Sequence, residues 1–194
     1  MISLLRGAQL AQAVYSPPYT FQVGDVCANL VREGDDLALV FQGTRDIAEA
    51  IRDARAIPKK YQNLLIHGGV LDAALTIFPL VASAGVTACI GHSLGAGEAI
   101  AECALLAQYA RCPLQLLAYE PLKISCNDML RTVLRDTRLQ QILTEQGNDP
   151  VTREPPTNDM FPYRHHTALL RIGRDFLNPL DAHRIENVIK ALAA

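Results

Sequence analysis

Gly91-His92-Ser93-Leu94-Gly95 constrains this chain more than any other stretch. It fits Gly-x-Ser-x-Gly, the sharp strand-to-helix turn that lifts a serine hydroxyl clear of a sheet edge. The flanks suit that turn. Val86-Thr87-Ala88-Cys89-Ile90 precedes it as a short apolar run of the size of a buried parallel strand. Ala96 to Tyr109 follows with no Pro and one Gly, rich in Ala, Leu, Glu and Gln, and reads as a helix. Glycines flank the serine because side chains at those positions would strike strand or helix.

The rest of the chain alternates in the same manner. Residues 2–15 read as a helix ended by Ser16-Pro17-Pro18, with Leu4, Leu5, Ala8, Ala11 and Tyr15 on one apolar face. Val23 to Leu30 and Leu37-Ala38-Leu39-Val40-Phe41 read as strands of an early hairpin across Glu33-Gly34-Asp35-Asp36. Ile47 to Arg55 reads as a helix, as does Leu71 to Ser83, bent or shortened by Pro79. Leu114 to Tyr119 is a fourth strand, Asp128 to Leu143 a helix, Thr152 to Pro162 a loop and His166 to Ile172 a further strand. Asn178-Pro179 caps and starts a last helix whose apolar face is Ile185, Val188, Ile189 and Leu192. Strands alternating with helices predict an α/β fold: a mostly parallel central sheet with helices on both faces, in one compact domain over residues 1–194.

Composition narrows the function. A net charge of −2 without basic runs argues against a nucleic-acid partner. No apolar stretch is long enough to span a bilayer, and Arg6, Gln9 and Gln12 interrupt the apolar start before a signal sequence forms. The odd set Cys27, Cys89, Cys103, Cys112 and Cys126 lacks Cys-x-x-Cys spacing. Reduced core thiols and a cytoplasmic location are expected, and no zinc site.

A serine is a poor nucleophile unless a histidine takes its proton, an acid orients that histidine, and donors await the oxyanion. For a serine on this turn the partners follow in the order Ser, Asp or Glu, His. That order disfavours His67 and His92 and leaves His165, His166 and His183 as bases, with Asp149 and Glu120 as acids. Gly147-Asn148-Asp149-Pro150 is also ordinary turn chemistry.

Four segments in order resemble the class 3 lipases, the α/β-hydrolase family that includes the filamentous-fungal triacylglycerol lipases. Phe41-Gln42-Gly43-Thr44, with Asp53 beyond it, resembles the family's Phe-Arg-Gly-Ser/Thr segment and its following Asp. Ile66-His67-Gly68-Gly69-Val70 resembles Val-His-x-Gly-Phe, and residues 91–95 match Gly-His-Ser-Leu-Gly. Asp149 to Pro156 resembles Asp-x-Val-Pro-x-x-Pro-Pro. Departures are Gln42 for Arg, Ala50 for Trp, Val70 for Phe, Ala96 for Gly, Glu120 for Gly and Thr152 for Pro.

The resemblance, running from about Ala8 to the C-terminus, implies a serine carboxylic-ester hydrolase acting on lipid or short-chain esters, without cofactor or metal. It implies Ser93 as nucleophile, Asp149 as acid and His183 as base, with His165 and His166 as the alternatives for the base. Leu94 and Thr44 supply the oxyanion donors, with the Thr44 hydroxyl as a further one. The expected partner is a small ester or lipid molecule, with transient contact at a lipid surface. The short span from Arg45 to Ile66 leaves little chain for a lid, which favours an open site. Other outcomes of the same residues are a thioesterase, a peptidase, or a catalytically silent fold used for binding.

Overall fold

The apolar runs ahead of Ser93 and its neighbours lie side by side as strands of one sheet. The computed structural model describes residues 1–44, 57–110, 113–135 and 138–194. The helix expected over 47–55, together with Ala50, Asp53 and Cys112, falls outside them. Helix α1 (Leu4–Ala13) leads into β1 (Phe21–Val23), β2 (Val26–Glu33) and β3 (Asp36–Phe41). The hairpin β4 (Pro58–Tyr61) and β5 (Leu64–His67) runs into α2 (Gly68–Val81). Strand β6 (Ala88–His92), α3 (Leu94–Tyr109), β7 (Gln115–Tyr119) and α4 (Met129–Val133) follow. Then come β8 (Gln140–Gln146), a 3-10 turn at Val151–Arg153, β9 (Leu169–Ile172), α5 (Pro179–Ala182) and α6 (Ile185–Ala193).

The main sheet has the order β1-β2-β3-β6-β7-β8-β9. Strands β1 to β3 pair antiparallel, and every pairing from β3 to β9 is parallel. The early hairpin is present, turned at Gly34 with a φ of 59°, but the strand expected over 23–30 runs from Val26 to Glu33, and a turn at Gly24-Asp25 separates it from the unexpected β1. The short hairpin β4–β5 has no clear apolar alternation at Pro58-Lys59-Lys60-Tyr61 and was not legible in the sequence.

Alternation along the strands splits the core between the two faces. Leu39, Phe41, Cys89, Leu116 and Ala118 belong to a cluster with α2, α3 and α4. Ala38, Val40, Ala88, Ile90, Leu117 and Tyr119 belong to a second cluster with α1 and α6. The sheet is therefore covered on both sides, as its apolar strands require. No described helix is long and apolar enough to cross a membrane.

Two helices also differ from expectation. The helix predicted over 128–143 is only α4, five residues long, and the remainder is strand β8. Gln140, Gln141 and Glu145 favour a helix locally, but β7 offers an unfilled edge and β8 pairs with it over five residues. Sheet context overrides propensity there. The strand's polar side chains are held in place: Gln115 Nε2 donates to Gln140 Oε1 at 3.0 Å, and His166 Nε2 to Gln141 Oε1 at 2.9 Å. The last helix is also broken, at His183, into α5 and α6.

Helix α3 is buried over its whole length from Gly95 to Leu106, which suits a helix apolar on every side. Glu98 and Glu102 are buried with it, one turn apart, and both Glu102 oxygens and Glu98 Oε2 lack a hydrogen-bond partner. Burial pushes each carboxyl up to about 8 from 4.5, so both are neutral at neutral pH. An acid raised in the folded state holds its proton while the unfolded chain has lost it. Stability therefore declines as pH rises from about 4.5 to about 8. A chain with Glu98→Gln and Glu102→Gln should match the parent in urea midpoint near pH 5 and exceed it at pH 8. A constant difference across that range would show that these groups do not titrate as described.

Candidate active site

Ser93 sits between β6 and α3 with φ 61° and ψ −127°, a backbone region that side-chain-bearing residues seldom occupy. Its neighbours hold it there. A Cβ on Gly91 would lie 2.1 Å from the Gly95 carbonyl oxygen, and one on Gly95 would lie 2.7 Å from the Phe41 oxygen. Both obstacles are backbone and cannot swing aside. Ser93 N–H donates to the Tyr119 carbonyl at 2.9 Å, tying the turn to β7. Leu94 opens α3, so its N–H is one of the first amides left without a partner inside the helix.

His183 reaches Ser93 from the far end of the chain. Its Nε2 lies 2.7 Å from Ser93 Oγ and its Nδ1 2.8 Å from Asp149 Oδ2. Because the carboxylate can only accept, Nδ1–H donates to Asp149 and Nε2 accepts from the serine hydroxyl. Ser93, His183 and Asp149 are 1 %, 2 % and 0 % exposed. The open site expected from the short 45–66 span turns on residues 45–56, which lie outside the described residues.

The local reasons for these positions are visible. Asn178 caps α5 through its side chain, and the helix ends at His183 because Arg184 is extended, with ψ 125°. The His183 carbonyl is taken by His92 Nε2–H at 2.9 Å instead of continuing a helical ladder. Asp149 uses one oxygen for turn chemistry and the other for the site: Val151 N–H donates to Oδ1 at 2.9 Å, leaving Oδ2 for His183. The turn reading and the acid reading are thus both satisfied. Asp181 lies in the first turn of α5 and pairs with Arg184 at 3.1 Å, away from the triad geometry.

The other histidines are committed elsewhere. His67 caps α2. His165 Nε2–H donates to the Thr152 carbonyl at 2.7 Å, and burial holds its pKa down. His166 bonds Gln141, and burial pushes it down to about 4. His92 stacks beside His183 with ring centres 4.8 Å apart, and burial and the neighbouring imidazole hold it well below its usual range. Glu120, at the end of β7, also turns into the site, with Oε2 3.5 Å from both His183 Nδ1 and His92 Nε2. His92, Glu120 and His183 together could in principle surround a cation. Their imidazole N–H groups, however, are already given to the His183 carbonyl and to Asp149.

Gly43 brings the segment after β3 against the turn. A Cβ there would lie 2.4 Å from the His92 carbonyl oxygen, 2.5 Å from the Tyr15 hydroxyl and 3.3 Å from Ser93 Cβ. Thr44 therefore follows directly beside the serine. Tyr15 was not singled out by chemistry in the sequence, only as part of an apolar face. Its hydroxyl donates to His92 Nδ1 at 2.9 Å and is hydrogen-bonded by the Gly43 backbone. One chain of bonds thus runs from the segment bearing Thr44, through Tyr15 and His92, to the carbonyl of His183.

Among solved structures, this fold is similar to the triacylglyceride lipase of Rhizomucor miehei, with a TM-score of 0.71 and 18 % identity. That match covers 88 % of this chain and 78 % of the lipase. The triacylglycerol lipase of Penicillium expansum gives a TM-score of 0.65 at 15 % identity, over 89 % of this chain and 78 % of that one. A triacylglycerol lipase with a serine-protease triad as its catalytic centre gives 0.64 at 19 %, over 88 % and 78 %. No protein-family model matches the chain, and no curated protein matches its sequence. The fold is that of the fungal triacylglycerol lipases, as the four sequence segments implied.

The Tyr15 link makes a prediction. Tyr15→Phe removes one hydroxyl and leaves His92 Nδ1 and the Gly43 backbone without their buried partner. Stability should fall by about 1–3 kcal/mol, read from urea unfolding. Unchanged stability would mean that water replaces the hydroxyl.

Proposed function

We propose that this chain is a serine carboxylic-ester hydrolase that works through an acyl-enzyme on Ser93. The observation that carries the reading is the continuous chain Ser93–His183–Asp149, with links of 2.7 and 2.8 Å, at a strained turn in a lipase-like fold. His183 takes the hydroxyl proton as Ser93 Oγ attacks the ester carbonyl. Asp149 holds the imidazole in the right tautomer and balances the imidazolium. The tetrahedral oxyanion is met by the N–H groups of Leu94 and Thr44 and by the Thr44 hydroxyl, aimed in advance at the developing charge. His183 then returns the proton to the leaving alcohol, the ester C–O bond breaks, and the acyl group stays on Ser93. Water deprotonated by His183 releases the acid. The solved neighbours act on triacylglycerols, which supports a lipid or another carboxylic ester as the substrate here.

Ser93→Ala should abolish labelling by a fluorophosphonate probe and lower hydrolysis of p-nitrophenyl esters by a thousand-fold or more, roughly the loss seen for triad nucleophiles. His183→Ala should be nearly as inactive, since the triad acts as a unit. His165→Ala and His166→Ala should keep much of their turnover wherever circular dichroism shows them folded. Labelling of the Ser93→Ala chain, or an active His183→Ala chain, sinks the reading. A wild-type chain that neither reacts with the probe nor turns over any ester of the panel would point instead to the silent binding fold.

Thr44→Ala keeps the backbone donor and removes only the hydroxyl. Turnover should drop by roughly ten- to a thousand-fold with little change in KM, as for a donor that acts in the transition state. Equal turnover would leave the oxyanion to the two backbone amides.

A further inference from the structure

The site holds one more acid than a triad uses. Glu120 is fully buried, and its φ of 54° turns it off the end of β7 toward His183. One oxygen, Oε1, accepts the Gln146 backbone N–H at 3.1 Å. The other, Oε2, lies 3.5 Å from His183 Nδ1, the nitrogen that donates to Asp149, and the Glu120 side chain is also hydrogen-bonded to that of Asp149. Oε2 lies equally far from His92 Nε2, whose proton is given to the His183 carbonyl. A carboxyl in the interior is costly, and one that no triad role uses, set beside the working imidazole, calls for an explanation.

We propose that Glu120 is a second acid of the triad: a positioning residue that stands beside Asp149 and accepts the His183 Nδ1–H when Asp149 is absent. This rests on the ester-hydrolase reading for its activity assay, though not for its geometry. Asp149 accepts two N–H groups, from Val151 and His183, as an ionised carboxylate does. Burial, and then the neighbouring Asp149, keep Glu120 far above the usual carboxylate range. Two adjacent buried carboxyls do not readily both ionise, so Glu120 carries the proton and Asp149 the charge. With Asp149 removed, that opposing charge disappears. Burial still disfavours its charge, but the imidazolium that forms on His183 favours the carboxylate, and Oε2 is already near the nitrogen it must serve.

The full chain in four forms tests this: wild type, Glu120→Gln, Asp149→Ala and the double variant. Glutamine keeps an oxygen for the Gln146 N–H, but it presents an amide nitrogen to His183 and cannot accept. In the wild-type background Glu120→Gln should lower kcat on p-nitrophenyl acetate by about two- to tenfold with KM unchanged. In the Asp149→Ala background the same change should cost at least about tenfold more than that, bringing turnover down to the His183→Ala level. Such coupling between neighbours is what a double-mutant cycle reads. Equal factors in the two backgrounds overturn the proposal.

A second readout needs no substrate. With 15N-labelled histidine, the hydrogen-bonded Nδ1–H of His183 should give a far-downfield proton resonance. It should survive Asp149→Ala and vanish in the double variant. Its loss in Asp149→Ala alone overturns the proposal, even if the chain hydrolyses no ester. If Asp149→Ala does not fold, Asp149→Ser keeps an oxygen for Val151 N–H and replaces it in both measurements. Absence of ester hydrolysis in the wild type, with the resonance behaving as described, would count against the proposed function and in favour of this assignment.

Discussion

The contact on which everything else depends is backbone against backbone. Gly91 and Gly95 face each other across the turn, and Gly95 and Gly43 lie against the end of β3 and the carbonyl of His92. No side chain fits at these three points, and that closeness is what lets Ser93 occupy a φ of 61°. Strain of this kind costs about 1–3 kcal/mol and survives only where the surroundings leave no alternative. Here the surroundings are a parallel strand on either side and a helix whose first turn after Leu94 is the small residues Gly95, Ala96 and Gly97. The turn in exchange places a hydroxyl, a helix N-terminus and the Gly43-Thr44 backbone within one small volume.

What the sequence could show follows from that constraint. Ser93 was legible because a backbone that admits no side chain leaves glycines at fixed offsets, while Thr44 and Leu94 were named only through the likeness of their segments to a known family. Asp149 and His183 were legible through the order of partners along the chain and the likeness of the flanking segments. The failures have a different origin. Strand β8 is rich in glutamine, and its strand character comes from the edge of β7 and from bonds to Gln115 and His166. None of these is local. The break at His183 exists because His92, some ninety positions earlier, takes its carbonyl. Tyr15 carried no signal beyond a place on an apolar face, since its function lies in a hydroxyl that meets residues from two distant segments.

Burial also explains the mixture of charge states. His92, His165 and His166 are held below their usual range, while Glu98, Glu102 and Glu120 are held above theirs. The same low-dielectric interior disfavours the charged form of both types. The described polar core is thus largely neutral at neutral pH. In such an interior a carboxylate that accepts two N–H groups acts strongly on the imidazole beside it, because little solvent screens the interaction.

The register of the parallel strands sets the distances between the acting groups. His92 pairs with Tyr119, and Tyr119 with Thr144, so the ends of β6, β7 and β8 are level. Ser93 N–H then bonds the Tyr119 carbonyl, and Glu120 N–H bonds the Thr144 carbonyl in the same relation one strand further on. Each strand therefore delivers one polar residue just beyond its carboxyl end: Ser93, Glu120 and, after a three-residue reach, Asp149. Open parallel sheets generally bind their ligands beyond this edge. A slip of one residue in β7 would turn its alternating side chains to the opposite faces. It would move Glu120 away from His183 and bury Tyr119 on the wrong side, away from the Leu4 carbonyl its hydroxyl now holds at 2.6 Å. The packing of α1 on Tyr119 thus fixes the strand register, and the strand register fixes the site.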